Sequence, residues 1–531
     1  MARASATAPT HPLRLWPRLG LALGAGALTG LGFAPVGLWP ATIIGLAVLY
    51  WLVIPGRPRQ AAGVGYVFGM GLFTVTIWWS AVMGWWVGAV FIAFLSTWML
   101  GVALGVHVVA GLPGWPVWAA CVWSMYEFGA IRFPFSGFGW VRLAYTTPEQ
   151  PLGGYLPWIG AAGTGWLVAL CAALIVWPRG TRALTRLGGL LLVLALFAAG
   201  LVLLTRPVAA GGPTVGVGMV QGDVDETASR TTMGRPRSVT AYHLSETVTL
   251  LARARTGLDP APDFVLWPEN ATDYDALADQ ATADWVNRAV AIAGVPILLG
   301  TITEGPGANE RQTTSLWWVP GHGPTARYDK RNVVPFGEYL PLRPLMLKLF
   351  PITQEVGPQS VPGKLPGVLP VRLPDGRPLA VGDLVCYDLA YDETVYDTVR
   401  HGAQVLTVQS SNVTFTGTNE PAQQFQITRV RAMELRREIV VATTSSLSGL
   451  IDAKGRVVDR TAPSTAAART YQVPERAGTS AAVSVGPWWE RTAAGIGLLA
   501  VLAGLVLGIG ARRARGAAGR PQRTGARRTH G

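Results

Sequence analysis

The chain has 531 residues, more than one hydrophobic core accommodates, so two or more domains are expected. Half of its residues are hydrophobic, 14% are charged and 21 are tryptophan, a membrane-like composition that excludes a wholly soluble protein. The net charge of +13 does not indicate a nucleic-acid binder, because the arginines gather in short loops and at the C-terminus, where charge orients a membrane protein.

Residues 1–18 are polar and carry Arg3, Arg14 and Arg18; an apolar run follows from Leu19 to about Phe33. A cleaved signal peptide would begin this way, but apolar runs continue at about 37–54, 61–82, 85–110, 114–130, 157–177 and 187–205. Most approach the roughly 20 residues that cross a bilayer, so seven spans are expected before residue 206 and an eighth at about 492–511. Positive charge recurs on one side of this pattern. Arg57 and Arg59 lie in the second loop, Arg179, Arg182 and Arg186 in the sixth, and Arg512, Arg513, Arg515, Arg520, Arg523, Arg527 and Arg528 after the last span. Cytoplasmic termini with an extracytoplasmic 206–488 satisfy all three. The expected organisation is a membrane domain over 1–205, a soluble-type domain over 206–488, a C-terminal span over 489–511 and a basic cytoplasmic tail over 512–531. Within the membrane part, Glu127 ends an apolar run and needs a partner, for which Arg132 is the nearest candidate. The aromatics Phe133, Phe135, Phe138, Trp140 and Tyr145 suit a bilayer interface, and their loop could line a lipid entrance.

The polar half alternates strand and helix signals, which argues an α/β domain. Strands are expected at 214–220, 264–267, 295–300, 314–319, 381–385, 405–408 and 439–442, with helices near 238–255, 282–294 and 429–434. Residues 463–487 read as a linker back to the membrane. Leu340 to Phe350 is rich in leucine and reads either as a core helix under the sheet or as an arm that dips into lipid.

Cys386 follows Val381 to Val385, where the chain should leave the sheet, a position at which open α/β sheets form sites. Cys121 and Cys171 lie in apolar runs, so Cys386 is the one thiol of the polar half; a disulfide there and a Cys–His zinc cluster are excluded. Glu269 and Lys330 also flank strand signals. Each residue alone reads as a solvated strand end, a surface charge or a small buried hydrophobe. Together they supply an acyl-transfer site: a carboxylate to take the thiol proton and a lysine that favours thiolate and oxyanion. His243, His322 and His401 sit in no recognisable motif, which disfavours a Cys–His pair.

This set resembles the nitrilase, or carbon-nitrogen hydrolase, superfamily over roughly 211–460. The carrying stretches are Trp267-Pro-Glu269, Tyr328-Asp-Lys330, Pro335-Phe-Gly-Glu338-Tyr339 and Cys386-Tyr387-Asp388, with Ser411-Asn412 and Arg429-Val-Arg431-Ala-Met-Glu434. With the apolar spans and Phe135-Ser-Gly137-Phe138-Gly-Trp140, the whole chain is similar to the apolipoprotein N-acyltransferase family. The resemblance implies an αββα sandwich on a helical membrane domain, in a bacterial inner membrane with the catalytic domain on the extracytoplasmic side. It implies that Cys386 takes a fatty-acyl chain from a phospholipid as a thioester and passes it to the α-amino group of a diacylglyceryl-cysteine lipoprotein. Glu269 would be the general base, and Lys330 would stabilise the oxyanion with a backbone N–H near Tyr387. Glu338 would orient the lysine, Tyr387, Asp388 and Asn412 would support the site, and no metal, organic cofactor or nucleic acid is implied. A membrane-tethered amidase and a non-catalytic membrane scaffold are the alternatives. The sequence departs from the family at Phe415-Thr416-Gly417, where Trp-Phe-Gly is common, at Val441 to Ser446, where Arg-x-Thr-Asn-x-Gly is common, and at Asp388, where glutamate is common. These departures point to altered substrate walls.

Overall fold

The computed structural model describes residues 11–177, 183–225, 235–349 and 356–518. Arg179, Arg182, Phe350 and the tail beyond 518 lie outside the described residues. A helix stands at each expected span: α1 (Leu15–Gly30), α2 (Trp39–Val53), α3 (Pro58–Ile77), α4 (Trp85–Val109), α5 (Trp115–Ala130), α6 (Leu156–Val176) and α7 (Ala183–Thr205). The stretches containing α3, α4, α6 and α7, and the C-terminal helix, are long and apolar enough to cross a membrane, while α2 is a shorter apolar helix. The first helix starts earlier than the polar stretch suggested and takes in Arg18. That guanidinium is buried and donates to the carbonyls of Leu52 and Pro55, satisfying carbonyls that the end of α2 leaves open. The opposite environment holds on α7, whose Leu187, Leu190, Leu191 and Leu194 are exposed, as a lipid-facing helix requires.

The polar half builds β1 (Thr214–Gln221), α8 (Ser238–Arg255), β2 (Phe264–Leu266), α9 (Gln280–Ala293), β3 (Ile297–Glu304), β4 (Glu310–Val319), β5 (Gly323–Asp329) and α10 (Arg343–Leu349). It continues with β6 (Gln359–Ser360), β7 (Val368–Arg372), β8 (Pro378–Val385), α11 (Asp392–Arg400), β9 (Val405–Ser410) and α12 (Glu420–Leu435). The chain closes with β10 (Ile439–Thr443), β11 (Gly449–Ile451), β12 (Val457–Arg460), β13 (Ala467–Pro474) and α13 (Ala481–Ala518). A seven-stranded sheet runs β13-β1-β2-β3-β4-β5 with β6 on β4, and a six-stranded sheet runs β12-β11-β10-β9-β8-β7. Val217, Met219, Phe264, Leu266 and Trp317 of the first face Val381, Val385, Val405 and Val440 of the second across one apolar core. Helices α8 and α9 cover the first sheet through Leu250, Val286 and Val290. The second sheet is covered by α11 and α12, so the layers are αββα.

That outer layer is shared with the membrane part. Leu384, Leu406, Val395 and Val430 belong to the same buried cluster as Trp123 and Leu167 of α5 and α6. The α/β body is therefore docked on the helices by an apolar interface. Two readings of the sequence change here. Residues 467–474 are not linker: β13 pairs antiparallel with β1 along its whole length, and α13 begins at Ala481, ahead of the expected span. Arg132 is not the partner of Glu127; it pairs with Glu490 of α13 at 2.7 Å. Glu127 instead accepts from Trp123 Nε1 at 3.0 Å, the Leu143 N–H at 3.0 Å and Arg142 Nε at 3.4 Å. Around α10, Leu342 and Leu345 are 60% and 48% exposed, so this leucine-rich stretch is not a core helix under the sheet.

Candidate active site

Strands β2 and β3 are parallel, as are β8 and β9, and the site lies beyond the carboxyl ends of β2, β8 and β9. Glu269 leaves the end of β2, Lys330 follows β5 and Cys386 follows β8. Glu269 and Lys330 are buried, and Cys386 is half-buried at the start of a tight turn, Cys386–Ala390. Its φ of 51° is left-handed, a backbone conformation unfavourable for a residue with a side chain and typical of over-determined functional positions.

Lys330 Nζ donates to Glu269 Oε1 at 3.0 Å and to Glu338 Oε1 at 2.9 Å. The other oxygens of these carboxylates are also held. Glu269 Oε2 accepts from the Ser411 N–H at 2.8 Å, and Glu338 Oε2 from the Val334 N–H at 2.7 Å. Two of the three ammonium protons are thus committed to carboxylates, and among the described residues no hydrogen bond takes the third. Burial would lower the lysine's proton affinity, but the two carboxylates outweigh it and hold the ammonium charged. Burial pushes the Glu269 carboxyl up, more than Lys330 pulls it down. The Cys386 thiol is likewise raised by burial and by the charge of Glu269, with Lys330 opposing. The resting arrangement is a protonated thiol beside a carboxylate of raised proton affinity, which is what a proton exchange between them needs.

The expected supporting residues separate into two roles. Asp388 is buried and ties the turn down: Oδ2 accepts from Tyr328 Oη at 2.8 Å and the Val385 N–H at 3.2 Å, and Oδ1 from the Asn332 N–H at 2.8 Å. Burial raises its carboxyl to about 6, against the charge of Lys330. It links the cysteine turn to the loop after the lysine. Tyr387 faces the membrane part instead. Its ring stacks on Trp140 at 6.0 Å and its hydroxyl donates to the Gly137 carbonyl at 3.3 Å. Tyr339 and Tyr391 donate to the carbonyls of Phe135 and Ser136 at 2.8 and 3.0 Å. A Cβ on Gly137 would meet the backbone of Ile131 at 2.2 Å, so this docking loop closes only on glycine. Phe138, Trp140, Trp79 and Phe415 continue an aromatic wall, with Trp79 and Phe415 5.0 Å apart. Of the departures from the family, Phe415 thus enters this wall. Thr444 holds the Glu269 carbonyl by a 3.1 Å hydrogen bond.

Asn412 reaches the thiol through residues that sequence reasoning missed. Its Nδ2 donates to Glu420 Oε2 at 2.9 Å and Gln424 Oε1 at 3.0 Å, and Gln424 Nε2 lies 3.3 Å from Cys386 Sγ. The available signal was the glutamine pair that follows Asn419-Glu-Pro on α12, polar residues on a helix that packs against a sheet. Its neighbour Gln423 accepts from both Trp79 and Trp140, at 3.1 and 2.9 Å.

A buried carboxylate and ammonium with a half-buried thiol, at strand ends of an αββα sandwich mounted on apolar helices, fit a membrane acyltransferase with a carbon-nitrogen hydrolase domain. Comparison with known families agrees: residues 25–174 match the apolipoprotein N-acyltransferase N-terminal domain and residues 240–476 match carbon-nitrogen hydrolase. The chain belongs to the apolipoprotein N-acyltransferase family. It is 31% identical to the apolipoprotein N-acyltransferase of Mycolicibacterium smegmatis, over 83% of this chain and 77% of that one. It is 32% identical to that of Pseudomonas aeruginosa strain LESB58, over 83% of this chain and 87% of that one. A solved Nesterenkonia amidase of the nitrilase superfamily aligns over 52% of this chain and 96% of its own, with a TM-score of 0.37 and 16% identity.

Proposed function

We propose that this protein transfers a fatty-acyl chain from a phospholipid to the α-amino group of the diacylglyceryl-cysteine of lipoproteins, through a thioester on Cys386. The observation that carries the assignment of residues is Lys330 Nζ held 3.0 Å from Glu269 and 2.9 Å from Glu338 at the turn that bears Cys386. Glu269 takes the thiol proton as Sγ attacks the ester carbonyl. The oxyanion that forms receives the remaining ammonium N–H of Lys330 and the backbone N–H near Tyr387. The acyl C–O bond then breaks, and Glu269 returns the proton to the departing glycerol oxygen, releasing lysophospholipid. In the second half the lipoprotein amine attacks the thioester, Glu269 accepts the amine proton, the C–S bond breaks, and the sulfur regains a proton. Glu338 holds the lysine in line, and Asp388 holds the turn.

The proposed topology has both termini in the cytoplasm and the catalytic domain, 206–488, on the extracytoplasmic side of a bacterial inner membrane. The arginines of the second loop, the sixth loop and the tail support it. The exposed leucines 342 and 345 dip into lipid beside Phe336, whose ring meets Phe135 at 6.0 Å, and this rim admits the acyl donor.

The test uses cells depleted of their own enzyme. One lipoprotein's N-terminal peptide should carry three acyl chains with the wild-type protein and two, with a free amine, with Cys386→Ser. Two chains in both cases would reject the acceptor assignment, and hydrolysis of a soluble amide would then be the activity to seek; three in both would reject Cys386 as the residue that carries the chain.

A further inference from the structure

The Cys386 thiol has a hydrogen-bond donor that the scheme above leaves idle. Glu420 and Gln424 lie one turn apart on α12, on one face, and Asn412 follows β9. All three are buried: Glu420 is 3%, Gln424 3% and Asn412 1% exposed. Their hydrogen bonds form a directed chain. The Glu420 oxygen accepts from Asn412 Nδ2 at 2.9 Å, which fixes the nitrogen side of that amide. The same nitrogen occupies the Gln424 oxygen at 3.0 Å, which leaves the Gln424 NH2 to face Sγ at 3.3 Å. Flipping either amide would set donor against donor or acceptor against acceptor, away from water, where an unmade hydrogen bond is costly.

We propose that Gln424 is a further catalytic residue, donating a hydrogen bond to the Cys386 sulfur as it becomes a thiolate and again as it leaves the thioester, with Asn412 and Glu420 as positioning residues that fix its orientation. The proposal rests on Cys386 being the nucleophile. The charged groups acting on that sulfur are Glu269 beyond β2, Lys330 beyond β5 and Glu420 on α12. Burial and the two carboxyls disfavour the thiolate while Lys330 and the Ser410 hydroxyl favour it, so the Gln424 NH2 acts where the charge balance is adverse.

The test compares full-length wild type, Gln424→Met, Glu420→Gln and Glu420→Ala in phospholipid nanodiscs. Iodoacetamide alkylation of the Cys386 peptide is followed by mass across pH, together with thioester formation. A hydrogen bond to a charged group is worth about one pKa unit at its weak end, so the Gln424→Met rate–pH profile should move up by about one unit. Alkylation at fixed pH should slow only about threefold, because a thiolate of higher pKa is the better nucleophile. Glu420→Gln keeps an acceptor for Asn412 and should stay near wild type, while Glu420→Ala should move toward Gln424→Met. An unmoved profile in folded Gln424→Met overturns the proposal. If that variant does not fold, identical profiles for Glu420→Ala and Glu420→Gln overturn it. Absence of any thioester in wild type would instead defeat the nucleophile assignment, while the alkylation profiles still judge Gln424.

Discussion

Two clusters of buried charge flank the same turn, Cys386–Ala390, and they are built to opposite ends. In the first, at the seam with the membrane part, Asp392 Oδ1 receives Arg142 Nη1 at 2.6 Å and Arg431 Nη2 at 2.7 Å. Arg431 also reaches Glu434 Oε2 at 2.6 Å and the Leu389 carbonyl at 2.8 Å. Glu434 Oε1 takes the Ala161 N–H at 2.6 Å and Tyr396 Oη at 2.5 Å, made possible by a break in α6 at Gly160, where a Cβ would meet that hydroxyl at 2.6 Å. Burial alone would raise the Asp392 carboxyl, yet the two guanidiniums hold it well below the usual carboxylate range. In the second cluster one ammonium serves two carboxylates, and burial wins: the Glu269 carboxyl is raised. Equal burial thus gives one carboxylate locked in its charged form and another poised to exchange a proton. Two cations converge on Asp392 and one on Glu269, and that difference matches the structural role of the first and the chemical role proposed for the second.

The contrast can be broken by experiment. Lys330→Ala removes the only ammonium of the reactive cluster. An oxyanion contact in a dry site is worth roughly 3–4 kcal/mol, so thioester formation should fall by about two to three orders of magnitude while the protein stays folded. Near-normal formation by folded Lys330→Ala would remove the lysine from the chemistry. Arg431→Met attacks the locked cluster and should act on stability instead. Leaving Asp392 and Glu434 buried with fewer partners should cost about 3–5 kcal/mol, read as an earlier thermal unfolding midpoint in nanodiscs. An unchanged midpoint would mean that the seam does not depend on this pair. A smaller effect separates the two carboxylates by pH. The general base must be ionised, and Glu269 is raised, so the acid limb of thioester formation should lie above the ordinary carboxylate value of about 4.3. Asp392 has a depressed value, so its stabilisation is present above about 3.9 and is lost only as pH falls through its lower folded value. An acid limb that tracks thermal unfolding with pH would contradict that separation. The smallest effect is expected at the docking loop. Tyr391→Phe loses the 3.0 Å bond to the Ser136 carbonyl and should cost about 1 kcal/mol of stability with thioester chemistry retained.

Much of the reactive cluster was legible in the sequence, and little of the locked one was. Glu269, Lys330 and Cys386 each end or flank a strand, but those strands belong to two sheets, and it was the resemblance to the carbon-nitrogen hydrolases that brought the three together. The helix Ser238–Arg255 and the spans before residue 206 were equally visible, because periodicity and apolar length are local properties. The partner of Glu127 was not visible: Arg132 is nearer in sequence, but the chain brings in Arg142 and sends Arg132 to Glu490 across 358 positions. Strand β13 hid in a polar stretch because only half of its side chains are fully buried, and its pairing with β1 is what defines it. Gln424 was hidden for the same reason as Arg142. A side chain that acts across an interface between elements leaves no spacing signature in its own element.

The central claim is that Cys386 carries the acyl chain, and intact mass measures it directly. Purified full-length protein incubated with a phospholipid of one defined acyl chain, without lipoprotein acceptor, should gain the mass of that single acyl group. Peptide mapping should place it on Cys386, hydroxylamine should remove it, and Cys386→Ala should gain nothing. An adduct elsewhere, or an equal adduct on Cys386→Ala, would contradict the account, as would lysophospholipid release by wild type with Cys386 unmodified throughout turnover.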